Sequence, residues 1–242
     1  MIRSSRHGGF DFRDIYVLVV EDEEFARTLT SQVLRGYGCA GVIAVENGNL
    51  ALDVLTAATR SFDLIICDFR MPRMNGLELL KAVRKGVPGV ARDIPFAMLT
   101  SHADKPVVGK AFELDVDCFL IKPIAAATMR ERLTRVMASD RPIKAPFDYH
   151  EIDVDPVTAD GDLPDMESAS AVDSAQRSAG RSGTKVVSLS KVRPGSVLAD
   201  PVSTGGGQQL LPAGSTLDTR TFARLLDLAV LDPNVRVVHV EE

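Results

Sequence analysis

The sequence is poor in the residues that build covalently or metal-stapled scaffolds. It holds 3 cysteines, an odd number with no CxxC or metal-like spacing. That excludes a disulfide framework and a zinc ribbon, and it suits a reducing cytosol. Its 4 histidines, His7, His102, His150 and His239, are scattered, with no adjacent His-Asp pair, so a metal-dependent phosphodiesterase centre lacks its ligands. Positive charge is not in excess: the formal net charge is -5, which argues against bulk attraction to nucleic acid or to an anionic membrane. No apolar run approaches the ~20 residues of a membrane span. Met1–Asp14 is polar, carries Arg3, Arg6 and His7, and lacks the apolar core of a secretory leader, so it is expected to be a flexible tail on a cytoplasmic protein. Aromatics are only 5% of a chain that is otherwise 45% hydrophobic and 25% charged, the composition of a globular domain.

What the sequence does contain, from Ile15 onward, is an alternation of short apolar runs with amphipathic stretches, the pattern of βαβ units and a parallel sheet. Strands are expected at Ile15–Val20, Gly41–Val45, Leu64–Cys67, Phe96–Leu99 and Cys118–Ile121. Helices are expected between them: one with Phe25, Leu29 and Val33 on one face, and one with Leu50, Ala51, Val54 and Leu55 inward. Three more follow, at Leu77–Lys85, Pro106–Leu114 and Ala125–Ala138. Five strands and five helices in about 125 residues make one complete doubly wound α/β domain, Ile15–Ser139. From Asp140 to Gly183 the periodicity disappears in favour of Asp, Ser, Ala and Pro, so this segment is expected to be a flexible acidic linker. Order resumes at Thr184, with short strands at Val186–Leu189, Val197–Ala199, Gln209–Leu211 and Val235–Val240. A turn is expected at Gly205–Gly207 and a helix at Thr219–Ala229. Residues 184–242 would then be a small α+β module, marginal alone and in need of a partner surface.

The chemistry concentrates in SFDLIICDFRMPRMNG, residues 61–76. A buried apolar strand ends there at Asp68, and Pro72 closes the strand option beyond it. Glu21 and Asp22 follow the first strand, Thr100 ends the fourth, and Lys122 follows the fifth. In a parallel sheet these ends share one edge. Three crowded carboxylates repel one another and push a pKa upward, a strain that a hard divalent cation such as Mg²⁺ relieves. Lys122 adds a compact positive charge fit for a phosphoryl oxygen, and Thr100 adds a hydroxyl. Together they suit phosphoryl transfer to a carboxylate.

Four motifs in order, VLVVEDE, CDFRMPRMNGLELL, MLTS and FLIKP, resemble those of a response-regulator receiver domain. The resemblance implies a flavodoxin-like fold with strand order 2-1-3-4-5, and Asp68 as phosphoacceptor for a histidine kinase or phosphotransfer protein. It implies that Asp22, Asp68 and the Arg70 backbone carbonyl hold Mg²⁺, with Glu21 binding directly or through water. Lys122 and Thr100 would contact the phosphoryl group, Phe119 would be the aromatic that follows Thr100, and the peptide before Pro123 would be cis. Glu21 stands where Asp is commoner in the family. Such a protein is a regulatory phosphoacceptor rather than an enzyme, signalling through protein–protein contact or through a homodimer across Pro106–Ala138. An Asp-nucleophile hydrolase would want a second Asp two residues past the first, where Arg70 stands.

The C-terminal stretch, with PGSVLA, LLPAG and the helix after Thr219, is similar to a small module found beside HD-type cyclic-di-nucleotide phosphodiesterase domains. Its effector is not named by the sequence, and it has no helix-turn-helix to read DNA. Two alternatives stand beside the phosphorylation reading: a phosphorylation-independent scaffold (a pseudo-receiver), and a cyclic-di-nucleotide-linked regulator. The second is suggested by Arg177, Arg181 and Asp200–Ser203, which resemble a PilZ-type binding barrel in outline, though their spacing departs from it.

Overall fold

In a computed structural model, residues 10–101, 105–140, 142–154 and 184–241 are described. Their first part is a five-stranded parallel sheet of order β2-β1-β3-β4-β5. Its strands are β1 (Tyr16–Val20), β2 (Gly41–Val45), β3 (Leu64–Asp68), β4 (Phe96–Thr100) and β5 (Cys118–Ile121). The connecting helices are α1 (Glu24–Gly36), α2 (Gly48–Ala57), α3 (Gly76–Lys85), α4 (Lys105–Glu113) and α5 (Ala126–Ala138). The central strands β3 and β4 are buried along their whole length, as continuous apolar runs covered on both faces must be. Alternate residues feed two cores. Leu18, Val20, Ile65, Cys67, Met98 and Phe119 face the side that holds α3 and α4. Val17, Val19, Ile66, Leu99, Cys118 and Leu120 face the side of α5. This is the flavodoxin-like arrangement implied by the motifs.

The structure revises the expected boundaries at both ends. Of the expected N-terminal tail, residues 1–9 lie outside the described residues, but Phe12 is fully buried in the second core. It packs edge-on to Phe10 and against Tyr37; apolar area of that size is worth removing from water wherever a neighbour allows it. Of the expected linker, residues 155–183 lie outside the described residues, while 142–154 is an arm packed on the sheet domain. Tyr149 is buried, and its hydroxyl donates to Asp115 Oδ2 at 2.7 Å. A buried arm at Pro146–Tyr149 is the alternative to the linker reading, and one buried aromatic with a satisfied hydroxyl anchors the residues around it as well. Two helix faces also differ from expectation: Phe25 is 73% and Leu29 50% exposed on α1, where Thr30, Ser31 and Leu34 point inward instead. On α2, Leu50 is exposed beside the inward Ala51 and Leu55.

The C-terminal module pairs β6 (Thr184–Ser188) with β9 (Val237–Glu241) and β7 (Val202–Ser203) with β8 (Gln209–Leu211), both antiparallel. Its helix is α6 (Thr219–Leu231), N-capped by Asp218, whose side chain accepts from the Thr221 N–H. The strand expected at Val197–Ala199 is reduced to two isolated bridges, Val197 to Thr216 and Leu198 to Val240. Apolar residues of the module, among them Leu198, Leu225, Leu228 and Val238, join the same core as α3 and α4. Residues 184–241 are therefore docked on the sheet domain, and α6 lies against β5, α4 and α5.

Candidate functional site

Register alone assembles the site. Val20, the last residue of β1, pairs with Cys67, so Glu21 emerges beside Asp68. Asp68 pairs with Leu99, and Thr100 with Ile121, so Thr100 and Lys122 arrive at the same edge. Lys122 Nζ lies 2.6 Å from Glu21 Oε2 and 2.9 Å from Asp68 Oδ2. Asp68 Oδ1 accepts the Phe69 N–H at 2.8 Å. Carboxylate oxygens of Glu21, Asp22 and Asp68 all lie within 4.8 Å of one another. The three acids and the lysine predicted from the sequence thus meet at one point.

The electrostatics follow from burial. The Glu21 side chain is only 1% exposed; desolvation, against the pull of its Lys122 hydrogen bond, pushes its carboxyl up to about 7, and the Asp68 charge adds to the rise. Burial also raises the Asp68 carboxyl, with Lys122 opposing. Burial pulls the Lys122 ammonium down, but Glu21 and Asp68 more than offset this and hold its pKa above the ordinary lysine value. The counter-charge expected at this edge is Lys122, which bridges two of the acids. Fully ionised, three carboxylates and one ammonium carry two net negative charges. Oxygen donors with that deficit fit a hard divalent cation.

Local sequence explains the precision. The α3 N-terminus carries a capping box: Asn75 Oδ1 accepts from the Leu77 and Glu78 N–H groups, and Glu78 Oε2 accepts from the Asn75 N–H. A Cβ on Gly76 would sit 2.4 Å from the Asp68 carbonyl oxygen; only glycine lets α3 begin this close to the strand end. Arg27, which the sequence reading did not single out, donates from Nη1 to the carbonyls of Glu21 at 2.7 Å and Asp22 at 2.9 Å. It ties the acidic loop to α1, and no local motif announces it.

The remaining predicted residues are placed as follows. Thr100 is buried at the end of β4, its hydroxyl donating to the Ser101 carbonyl at 3.3 Å. Phe119 is buried in the α3–α4 core. Arg70 is exposed two residues beyond Asp68. The Lys122–Pro123 peptide is cis. Cys39, Cys67 and Cys118 are free thiols, and among the described residues no helix is long and apolar enough to cross a membrane.

With this geometry in hand, residues 17–134 match the family model described as the response regulator receiver domain. The chain is 28% identical over 124 residues to the chemotaxis protein CheY-3 of Vibrio cholerae, which covers 51% of this chain and 92% of that protein. It is 28% identical over 120 residues to the chemotaxis protein CheY of Pseudomonas aeruginosa, covering 50% and 94%. Among solved structures, the chemotaxis response regulator CheY4 of Vibrio cholerae is 32% identical over 51% of this chain and 98% of that one, with a TM-score of 0.44.

Proposed function

Residues 17–134 form a response-regulator receiver domain, and from that premise we propose that the protein is a two-component response regulator accepting a phosphoryl group on Asp68 from a histidine kinase or phosphotransfer protein. The observation that carries this reading is the Asp68 carboxylate itself: it ends a central strand, is held by Lys122 and the Phe69 N–H, and is crowded by two further acids. One Asp68 oxygen attacks phosphorus while the bond to the donor nitrogen breaks, and the donor imidazole leaves. Lys122, now tied to Glu21 and Asp68, turns to the incoming phosphoryl oxygens, because a flexible ammonium follows the larger negative charge. Thr100, at the next strand end, is placed to draw towards the same group. Glu21, Asp22, Asp68 and the Arg70 carbonyl would hold Mg²⁺, which when bound neutralises developing charge on the transferred group. Phe25 and Leu29, exposed on the helix that leaves the acidic loop, offer the phosphodonor protein an apolar docking face.

Intact mass after incubation with a small phosphodonor, with and without Mg²⁺, tests this. A single Mg²⁺-dependent phosphoryl adduct in the wild type, lost in Asp68→Asn, is the expected result. A folded protein that takes no adduct would instead be a pseudo-receiver acting as a scaffold. The free thiols fit a cytoplasmic protein.

A further inference from the structure

The C-terminal module keeps one sheet edge open. In the β6–β9 ladder, Lys185 stands opposite Val240 and Val187 opposite Val238. On β9, the His239 carbonyl accepts the Ala199 N–H at 2.8 Å, and the Glu241 N–H donates to the Val197 carbonyl at 3.0 Å. The His239 and Glu241 backbones therefore point away from β6, and those of Val238 and Val240 point towards it. Peptide groups along an antiparallel strand alternate sides, so Lys185 and Val187 direct their N–H and C=O groups to β9. Thr184, Val186 and Ser188 turn theirs outward, where among the described residues no further strand pairs with them. The Val186 side chain is also 59% exposed.

Along this edge lies a groove of about 580 Å³. Its walls carry Lys185 of β6, Lys191 at the end of the turn Leu189–Lys191, and Arg193 just beyond. All three are exposed, and no carboxylate lines the groove. Among the described residues, none of the three meets an acid in an ion pair. In a chain of net charge -5, three unneutralised cations on one groove reverse the local sign of the field. Val186, Val192 and Val240 add apolar surface to the same walls. A lysine on a sheet edge is a common guard against pairing with the wrong chain. Here the guard is selective. A second copy of β6 would bring the same cations and be repelled, whereas an acidic strand is drawn in.

We propose that the β6 edge binds an extended acidic segment of a partner protein, which joins the module as an added strand. Val186 exchanges backbone hydrogen bonds with that segment, and Thr184 and Ser188 extend the ladder on either side. Main-chain bonds of this kind hold any extended chain, and the side chains around the edge choose which one. Lys185, Lys191 and Arg193 make that choice by meeting carboxylates that recur on one face of the added strand. The proposal does not rest on Asp68 as phosphoacceptor: the groove is complete with or without a phosphoryl group on the receiver.

The test is fluorescence anisotropy of the full chain with a labelled peptide of alternating aspartate and valine. Two control peptides accompany it. One carries lysine in place of aspartate; the other is the acidic peptide N-methylated at every residue, which keeps its charge but cannot donate to a ladder. Two variants are compared with the wild type, each checked for unchanged thermal stability. Val186→Pro deletes an outward N–H that the β6–β9 ladder does not use, and Lys191→Ala combined with Arg193→Ala removes charge. The acidic peptide should bind, and more weakly as salt rises. Each variant should weaken it roughly five- to tenfold, the loss of one or two hydrogen bonds or charge contacts. No binding of the acidic peptide, or equal binding of the lysine peptide, overturns the proposal. So does undiminished binding of the N-methylated peptide, or undiminished binding by Val186→Pro, because plain attraction of anions would then suffice. If Val186→Pro loses stability, the N-methylated peptide on wild-type protein decides alone.

Discussion

Asp68 illustrates how a functional residue is held against the interests of the fold. Burial raises its pKa, so at neutral pH the folded chain carries a charge it would rather protonate. Replacing it by Asn removes the charge while keeping an acceptor for the Phe69 N–H. Without divalent cation, Asp68→Asn is therefore expected to melt higher than the wild type by a few degrees, equivalent to about 1 kcal/mol in a chain of this size. Thermal melts in chelator check this, and a lower melting point would mean that Asp68 is structural. Adding Mg²⁺ should raise the wild-type melting point more than that of the variant. Gly76 is the complementary case. Gly76→Ala drives a Cβ to 2.4 Å from the Asp68 carbonyl, and the strain should cost about 1–3 kcal/mol despite alanine's better helix propensity. Chemical denaturation gives the sign, and a stabilised variant would show that the approach is not tight. The acids, Thr100 and Lys122 were legible in the sequence because strand ends in a parallel sheet share an edge. Arg27 was not, because its work is done by reaching back to two backbone carbonyls, which no spacing rule encodes.

At the scale of elements, the ten strands and helices of the sheet domain were readable because each carries its own period and its own punctuation. The capping box at Asn75 is an example, and Asn75→Ala should cost about 1 kcal/mol in denaturant unfolding, since the carboxamide satisfies two helix N–H groups. What could not be read was partnership. Phe25 and Leu29 form an apolar stripe whose periodicity is the same whether it faces a core or solvent. Arg220 and Arg224 of α6 are buried because two acids of the α4–β5 loop wait opposite, a partnership no helical period announces. Asp227 gives this helix a pH signature. Burial pushes its carboxyl from 3.8 up to about 6, against Arg132 and Arg135. Between those values the folded chain binds a proton that the unfolded chain has released, so this contribution to stability falls as pH rises from about 4 to 6. The difference in stability between wild type and Asp227→Asn, followed across that range, should change in the same window; a constant difference would place the carboxylate in water.

In the whole molecule, the module and the α3–α4 side of the sheet share one apolar core, so the unphosphorylated chain should unfold in a single calorimetric transition, with no separate melting of residues 184–241. Two resolved transitions at rest would contradict that continuity. The docking supplies the partner surface that so small a module needs: a change in composition marks where periodic structure stops, and says nothing about where the chain returns. It returns to the place it left. Tyr149 of the departing arm and Arg220 of the returning helix both end on Asp115, one through its carboxylate and the other through its carbonyl. The two sides of the molecule, one ending in the Tyr149 arm and the other carrying α6, would therefore meet at the same anchor even if made separately. Such a pair has the geometry to find each other and re-form one molecule.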